Sequence, residues 1–261
     1  MKLTWLGTAG FWFNQSDFSF LIDPFISRNA QALPKLKTQI SDLSPIHQIF
    51  ISHGHFDHLM DVPYIAKRTR AKIYCSKIAA KTLLREGILP SQISYAEPGT
   101  VIDFGSYQAV CIPSHHVRFD IPLLLKTLMQ AGTNLFSLYP LFKHWPKGQV
   151  FSWRFIFKNR PHKVFHHIGS AGCTQEEIQH IKQMGSIDVL MLPLQGHTRI
   201  CDLTIKIAEH LAPKTVIAHH YDDFYPPISQ FVDINPFKKA LQELQPPIHF
   251  LEIKMGEVVS I

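Results

Sequence analysis

The chain has 261 residues, 46% of them hydrophobic, which is enough to bury a full core and is expected to form one domain over 1–261. No run approaches eighteen apolar residues, and MKLTWLGTAGFWF lacks a basic segment followed by a long apolar stretch, so a membrane-spanning helix and a signal peptide are not expected and a cytoplasmic location is. The formal charge of +6 is scattered over Lys67, Arg68, Arg70, Lys72, Lys77, Lys81, Arg85, Arg154, Lys158, Arg160 and Lys163 as on a solvated surface, and Cys75, Cys111, Cys173 and Cys201 form no C-x-x-C that would signal a zinc ribbon or a disulfide scaffold.

In chain order, short β-branched or aromatic runs read as strands at Leu3–Leu6, Ser19–Ile22, Ile49–Ile51, Ile73–Cys75, Tyr107–Ile112, Phe151–Phe157, Val164–Ile168, Val189–Leu192, Val216–His219 and His249–Ile253. Between them, Ser76 opens a helix that Gly87 closes. Thr174 with Glu177 forms a capping box, Asp202 opens a helix halted by Pro213, and Asn235 caps a helix whose first turn holds Pro236. Strand–helix alternation of this kind predicts helices packed outside a pair of mixed sheets, an α/β arrangement.

Residues 119–148, FDIPLLLKTLMQAGTNLFSLYPLFKHWPKG, fit neither pattern. The stretch is too long for an ordinary connection and too apolar for a disordered linker. It reads as an insertion with its own partial structure: a helical hairpin that completes the core or forms a homo-oligomer interface, a lid over an apolar pocket, or a membrane-surface contact.

The densest chemistry follows the third apolar run. ISHGHFDHLMD places His53, His55, Asp57 and His58 in an H-x-H-x-D-H pattern. Residues two apart in a loop leaving a strand can project to one side while their neighbours face another, so two ligand groups can point at two adjacent positions. Imidazole nitrogen and carboxylate oxygen suit Zn²⁺, Fe and Mn²⁺.

With this motif, the opening TWLGTAGFWF and the Asp-Pro turn of FLIDPFIS, the chain resembles the metallo-β-lactamase-fold hydrolases over nearly its whole length. The resemblance implies a four-layer αββα sandwich with a metal site at the sheet edge, and one or two zinc ions, with Mn or Fe as substitutes. It implies ligands His53, His55, Asp57 and His58, one of His115 and His116, and one of His219 and His220. Relatives favour His116 and His220, which leaves His115 and His219 as pocket residues. The family usually bridges two metals with an aspartate in a G-D-T or G-D-S turn, but here VFHHI leads into GSAG and Ser170 stands in that place. A neutral hydroxyl is a weak ligand. Asp222, Asp223 or His197 could substitute; otherwise the chain holds one metal, or keeps the fold without catalysis.

If catalytic, the resemblance implies attack by metal-bound hydroxide, with Asp57 and His58 as catalytic residues and His197, Tyr221 or His115 donating to the oxyanion or leaving group. HHYDDFYPP together with GSAG resembles the phospholipase-D-type and lactonase-type branch. With the apolar insertion, this points to an ester, lactone, amide or phosphodiester bond in a small-molecule or lipid-like substrate. A nuclease is disfavoured, because no basic-aromatic stripe follows a nucleic-acid backbone. The alternative from another class is a non-catalytic module that senses a ligand in the same pocket.

Overall fold

The computed structural model describes residues 1–132, 135–158 and 162–261; Arg160, one of the scattered cations, lies outside them. The first half builds a sheet from β1 (Lys2–Gly7), β2 (Gly10–Gln15), β3 (Phe18–Ile22), β4 (Gln48–Phe50), β5 (Lys72–Cys75) and β6 (Ile93–Tyr95). Its helices are α1 (Phe56–Leu59), α2 (Val62–Thr69) and α3 (Lys77–Arg85). Next come β7 (Val101–Asp103), β8 (Tyr107–Ser114), α4 (Ile121–Ala131), α5 (Leu135–His144), β9 (Val150–Phe157), β10 (Lys163–Ile168) and α6 (Gln175–Gln183). The chain closes with β11 (Val189–Pro193), α7 (Ile200–Leu211), β12 (Thr215–His219), α8 (Asn235–Glu243), β13 (His249–Phe250) and β14 (Val258–Ser260).

Among the described residues these strands form two seven-stranded sheets, ordered β14-β1-β2-β3-β4-β5-β6 and β13-β12-β11-β10-β9-β8-β7. Each is antiparallel through one half and parallel through the other: β3 to β6 run parallel in the first sheet, and β10 to β13 in the second.

Strand alternation makes the layers. Phe18, Phe20 and Ile22 of β3 point into the space between the sheets, while Leu21 points the other way and joins Ile49, Ile51, Ile65 and Leu83 beneath the outer helices. Between the sheets the filling is aromatic, with Phe20 stacked on Phe155 at 4.8 Å and Phe13 at 4.7 Å from Phe20. Helices on both outer faces complete the four-layer sandwich.

Helix ends differ from their expected form where the cap is not made by a side chain. Ser76 accepts the Ala79 amide at 3.3 Å, and Thr174 and Glu177 form the reciprocal box. In contrast, α7 begins at Ile200, with Asp202 in its first turn accepting from Arg199 Nε at 2.9 Å, and α8 is capped by Ile234 with Asn235 already helical. The apolar insertion folds as α4 and α5, joined through residues 133–134 outside the described set.

A buried ion pair joins the segment after β3 to the segment after β12. Asp222 is completely buried, pairs with Arg28 and accepts the Thr8 amide at 3.0 Å. Burial pushes its carboxyl up and Arg28 opposes the rise. Removing one partner strands the other charge, so Arg28→Ala is expected to lower unfolding free energy by about 3–5 kcal/mol in denaturant titration. The Arg28→Ala/Asp222→Asn double variant should recover part of that loss; additive losses would show that the two groups do not act as a pair.

Candidate metal centre

The carboxyl ends of β3, β4, β8, β10 and β12 converge on one rim of the sandwich, and the loops that leave them carry the centre. After β4 the chain passes through Ser52, His53 and Gly54 to His55, which caps α1, so Asp57 and His58 occupy the first turn of that helix. Gly54 is required by close approach: its amide donates to Lys147 O at 2.8 Å, and a Cβ there would sit 2.3 Å from Pro146 O.

Two clusters result. Candidate ligand atoms of His53, His55 and His116 lie within 4.8 Å of one another, as do those of Asp57, His58 and His220. His53 Nε2 and His55 Nδ1 are 3.1 Å apart, and Asp57 Oδ2 is 3.2 Å from His220 Nε2 and 3.5 Å from His58 Nε2.

Partners behind the rings fix which nitrogen faces the centre. Asp23 Oδ2 lies 2.9 Å from His58 Nδ1 and 2.5 Å from Ser52 Oγ, which donates to it; Ser52 Oγ is in turn 3.0 Å from His53 Nδ1. His116 Nδ1 is 2.8 Å from Val117 O. With their protons on Nδ1, His53 and His116 turn bare Nε2 lone pairs inward, and His58, anchored through Nδ1, does so once its Nε2 proton is lost. Asp23 also accepts the Ser52 amide at 2.7 Å. In the sequence this carboxylate stands out only as part of an Asp-Pro turn. Its signal was a charge at the end of the apolar run FLI, where burial demands a partner.

Burial and neighbouring imidazoles hold His53 well below its ordinary value, and burial first, with smaller opposing and reinforcing charges, brings His55 down to about 3. Burial also lowers His116. Burial would raise Asp57, but His58, His220 and His55 outweigh it and keep the carboxyl ionised. In His58 burial is outweighed by Asp57 and Asp23, so its imidazole is held above the ordinary value. Neutral imidazoles and an anionic carboxylate are the donor set a borderline divalent cation requires, so the residues present fit such an ion.

The neighbouring histidines of each pair part company. His115 is exposed and meets Glu177 at 2.6 Å, and His219 is buried and stacked on His167 at 4.8 Å. His220 is not turned by strand alternation. Its backbone is left-handed, φ 57°, and its amide donates to O of Thr8, itself at φ 50°.

The residues considered as substitutes stand elsewhere. Asp222 faces Arg28, Asp223 accepts from Ser229 Oγ at 2.6 Å, and Tyr221 lies against Trp5 with ring centroids 4.8 Å apart. His197 lines the cavity wall, its Nδ1 accepting the Arg199 amide at 2.9 Å. Ser170 lines the same cavity, and its hydroxyl accepts the Val117 amide at 3.0 Å, bracing the segment that carries His116.

The clusters form the floor of a cavity of about 550 Å³ walled by Phe119, Leu123, Leu124, Leu138, Phe142 and Phe231. The positions from α4 and α5 carry no signal in the sequence beyond the hydrophobicity of the insertion, which allowed a lid over an apolar pocket as one reading, and Phe231 carries none.

The sequence profile of the Beta-lactamase superfamily domain matches residues 19–221. The chain belongs to this beta-lactamase superfamily. Among its relatives there, a protein of Archaeoglobus fulgidus described as a metal-dependent hydrolase is 28% identical over 260 residues, covering 98% of this chain and 97% of its own. One of the same description from Pyrobaculum islandicum is 26% identical, with both chains covered fully. Two solved structures share the fold. They are Igni18, a metallo hydrolase of Ignicoccus hospitalis (TM-score 0.73, 23% identity, 99% and 97% covered), and an isothiocyanate hydrolase from Delia radicum gut bacteria (TM-score 0.67, 15% identity, 100% and 99% covered).

For this member of the superfamily the two clusters should load differently with pH. The imidazoles of His53, His55 and His116 are lowered and give up their protons in more acid solution than an ordinary histidine, whereas His58 is raised and must lose a proton to bind. Metal stoichiometry is expected to be lower at about pH 5.5 than at about pH 8.5, with proton release on loading the second cluster. Elemental analysis after dialysis at each pH, with calorimetry in two buffers, measures this; equal loading at both would contradict the assignment.

Proposed function

We propose that this chain is a metal-dependent hydrolase that holds at least one divalent ion, zinc by donor type, and cleaves an ester, lactone, amide or phosphodiester bond in an apolar small molecule or lipid. The observation that carries the reading is the pair of three-residue clusters at the floor of an apolar cavity. His53, His55 and His116 would hold one ion, and Asp57, His58 and His220 a second. The ion, when bound, supplies Lewis acidity and an acidified water.

The chain's own groups supply the rest. Asp57 stays ionised under the influence of His58 and His220, so it can accept and orient the proton of an attacking water. Asp23 keeps His58 in one tautomer and one orientation. His197 accepts a backbone amide on Nδ1, which leaves its Nε2 proton to donate to oxygen in the cavity that it lines. Leu123, Leu138 and Phe142 exclude water around the substrate's apolar part. The relatives described as metal-dependent hydrolases support the same class.

A second reading, a ligand-binding or sensing module, has one observation in its favour: Ser170 contributes a hydroxyl, engaged with Val117, where a bridging carboxylate would add charge. A panel of esters, lactones, amides and phosphodiesters, assayed on metal-free and reloaded protein, separates the two. The hydrolase reading expects turnover that chelation removes and that Asp57→Asn and His58→Ala each reduce at least about 100-fold in kcat/KM. Saturable binding without turnover across the panel would leave the sensing module in its place.

A further inference from the structure

The α4 helix carries its most apolar stripe outward. Ile121, Leu124, Leu125, Leu128 and Met129 follow the three-and-four spacing of one helix face, and all five are exposed, with Ile121 at 71% and Met129 at 78%. A helix of a water-soluble surface normally turns such a stripe toward the core, where burial is favourable. Here Leu123 and Thr127 occupy the inward side as part of the cavity wall. Leu124, with Phe119, Phe142 and Phe231, is both exposed and cavity-lining, so apolar surface runs from the outer stripe into the mouth of the pocket.

Charge distinguishes among occupants of this face. Segment 118–148 holds the cations Arg118, Lys126, Lys143 and Lys147 against the single carboxylate Asp120, which is engaged with Thr198. All four cations are exposed, and none is paired with a carboxylate among the described residues. A second copy of the chain would bring like charges together across a shared face, whereas an anionic lipid surface would neutralise them while its acyl layer covers the stripe.

We propose that α4 and its flanking cations dock the protein on an anionic lipid–water interface, with the cavity mouth facing the bilayer. For what the docking delivers, this rests on the hydrolase reading, since a substrate partitioned into lipid would enter the pocket without crossing water. Docking itself is read out separately from turnover.

The test is co-sedimentation of the metal-loaded full chain with vesicles of phosphatidylglycerol or of phosphatidylcholine. Partition onto phosphatidylglycerol is expected, falling at least about tenfold in about 0.5 M salt and by a similar factor in Ile121→Glu/Met129→Glu. Lys143→Glu, which leaves the apolar stripe intact, should weaken binding by a smaller factor. None of these three positions lines the cavity, so turnover of a short soluble ester should not change. Equal partition onto both lipids, or onto neither, overturns the proposal. So does a stable dimer in analytical ultracentrifugation that the double variant dissociates, which would give the face to a second copy. Vesicle binding without turnover of any substrate keeps the docking and removes the hydrolase; turnover of the soluble ester without vesicle binding does the reverse.

Discussion

The Asp23 carboxylate is completely buried, and the geometry of the centre hangs from it at one or two removes. One oxygen takes the Ser52 amide and the other takes both the Ser52 hydroxyl and His58 Nδ1. A buried anion is tolerable only with such saturation, and here every partner belongs to the H-x-H-x-D-H loop or the residue before it. The cradle leaves no spare room. Gly169 lies behind Ser52 so closely that a Cβ would meet the hydroxyl at 2.2 Å, which explains a glycine at the start of GSAG independently of Ser170. Asp23 also adopts a left-handed backbone, φ 42°, as do Thr8 and His220, so three strained residues surround one site. Each such conformation costs about 1–3 kcal/mol and persists because the packed strand ends allow no relaxation.

The charge balance follows from that arrangement. Asp57 is the sole carboxylate in the two clusters, and Asp23 acts on the centre through His58. Ser170 adds none, and the nearby acids Asp222 and Asp223 are committed to Arg28 and Ser229. The two halves are therefore unequal: one entirely imidazole and easily kept neutral, the other anionic and holding a proton on His58. Any second cation must meet less negative charge than a bridging carboxylate would supply.

Local signals were legible in the sequence where a side chain itself does the structural work. Ser76 and the Thr174–Glu177 pair cap as their chemistry dictates, and the buried strands carry their burial in alternation. Asp202 and Asn235 have the composition of caps but lie inside their helices, because backbone geometry set by Arg199 and Ile234 starts each one earlier. The edge strands β6, β7 and β14 are three residues long and expose Tyr95, Val101 and Val258, with Ile93 the one buried residue among them, so they offer too short a buried face for a pattern to reveal. For the centre, the motif placed its four residues together on one loop. The separation of His116 from His115, and of His220 from His219, depends on contacts made by segments far away in sequence, namely Ser170 and Thr8.

The link between Gly54 and Lys147 reaches beyond the glycine itself. Pro146 to Gly148 is wedged between Gly54 of the histidine loop and Ile78 of α3, where a Cβ on Gly148 would come within 2.6 Å of Ile78 Cβ. The insertion is thus exposed along one face of α4, packed on the core through Leu138, Leu141 and Phe142 of α5, and pinned at its exit. Cavity-facing side chains of α4 and α5 can be exchanged to reshape what the cavity accepts, while Pro146 to Gly148 must keep their path or the histidine loop loses its outer support. Substrate preference and metal-loop geometry are separable by design, with the boundary between them falling at Trp145.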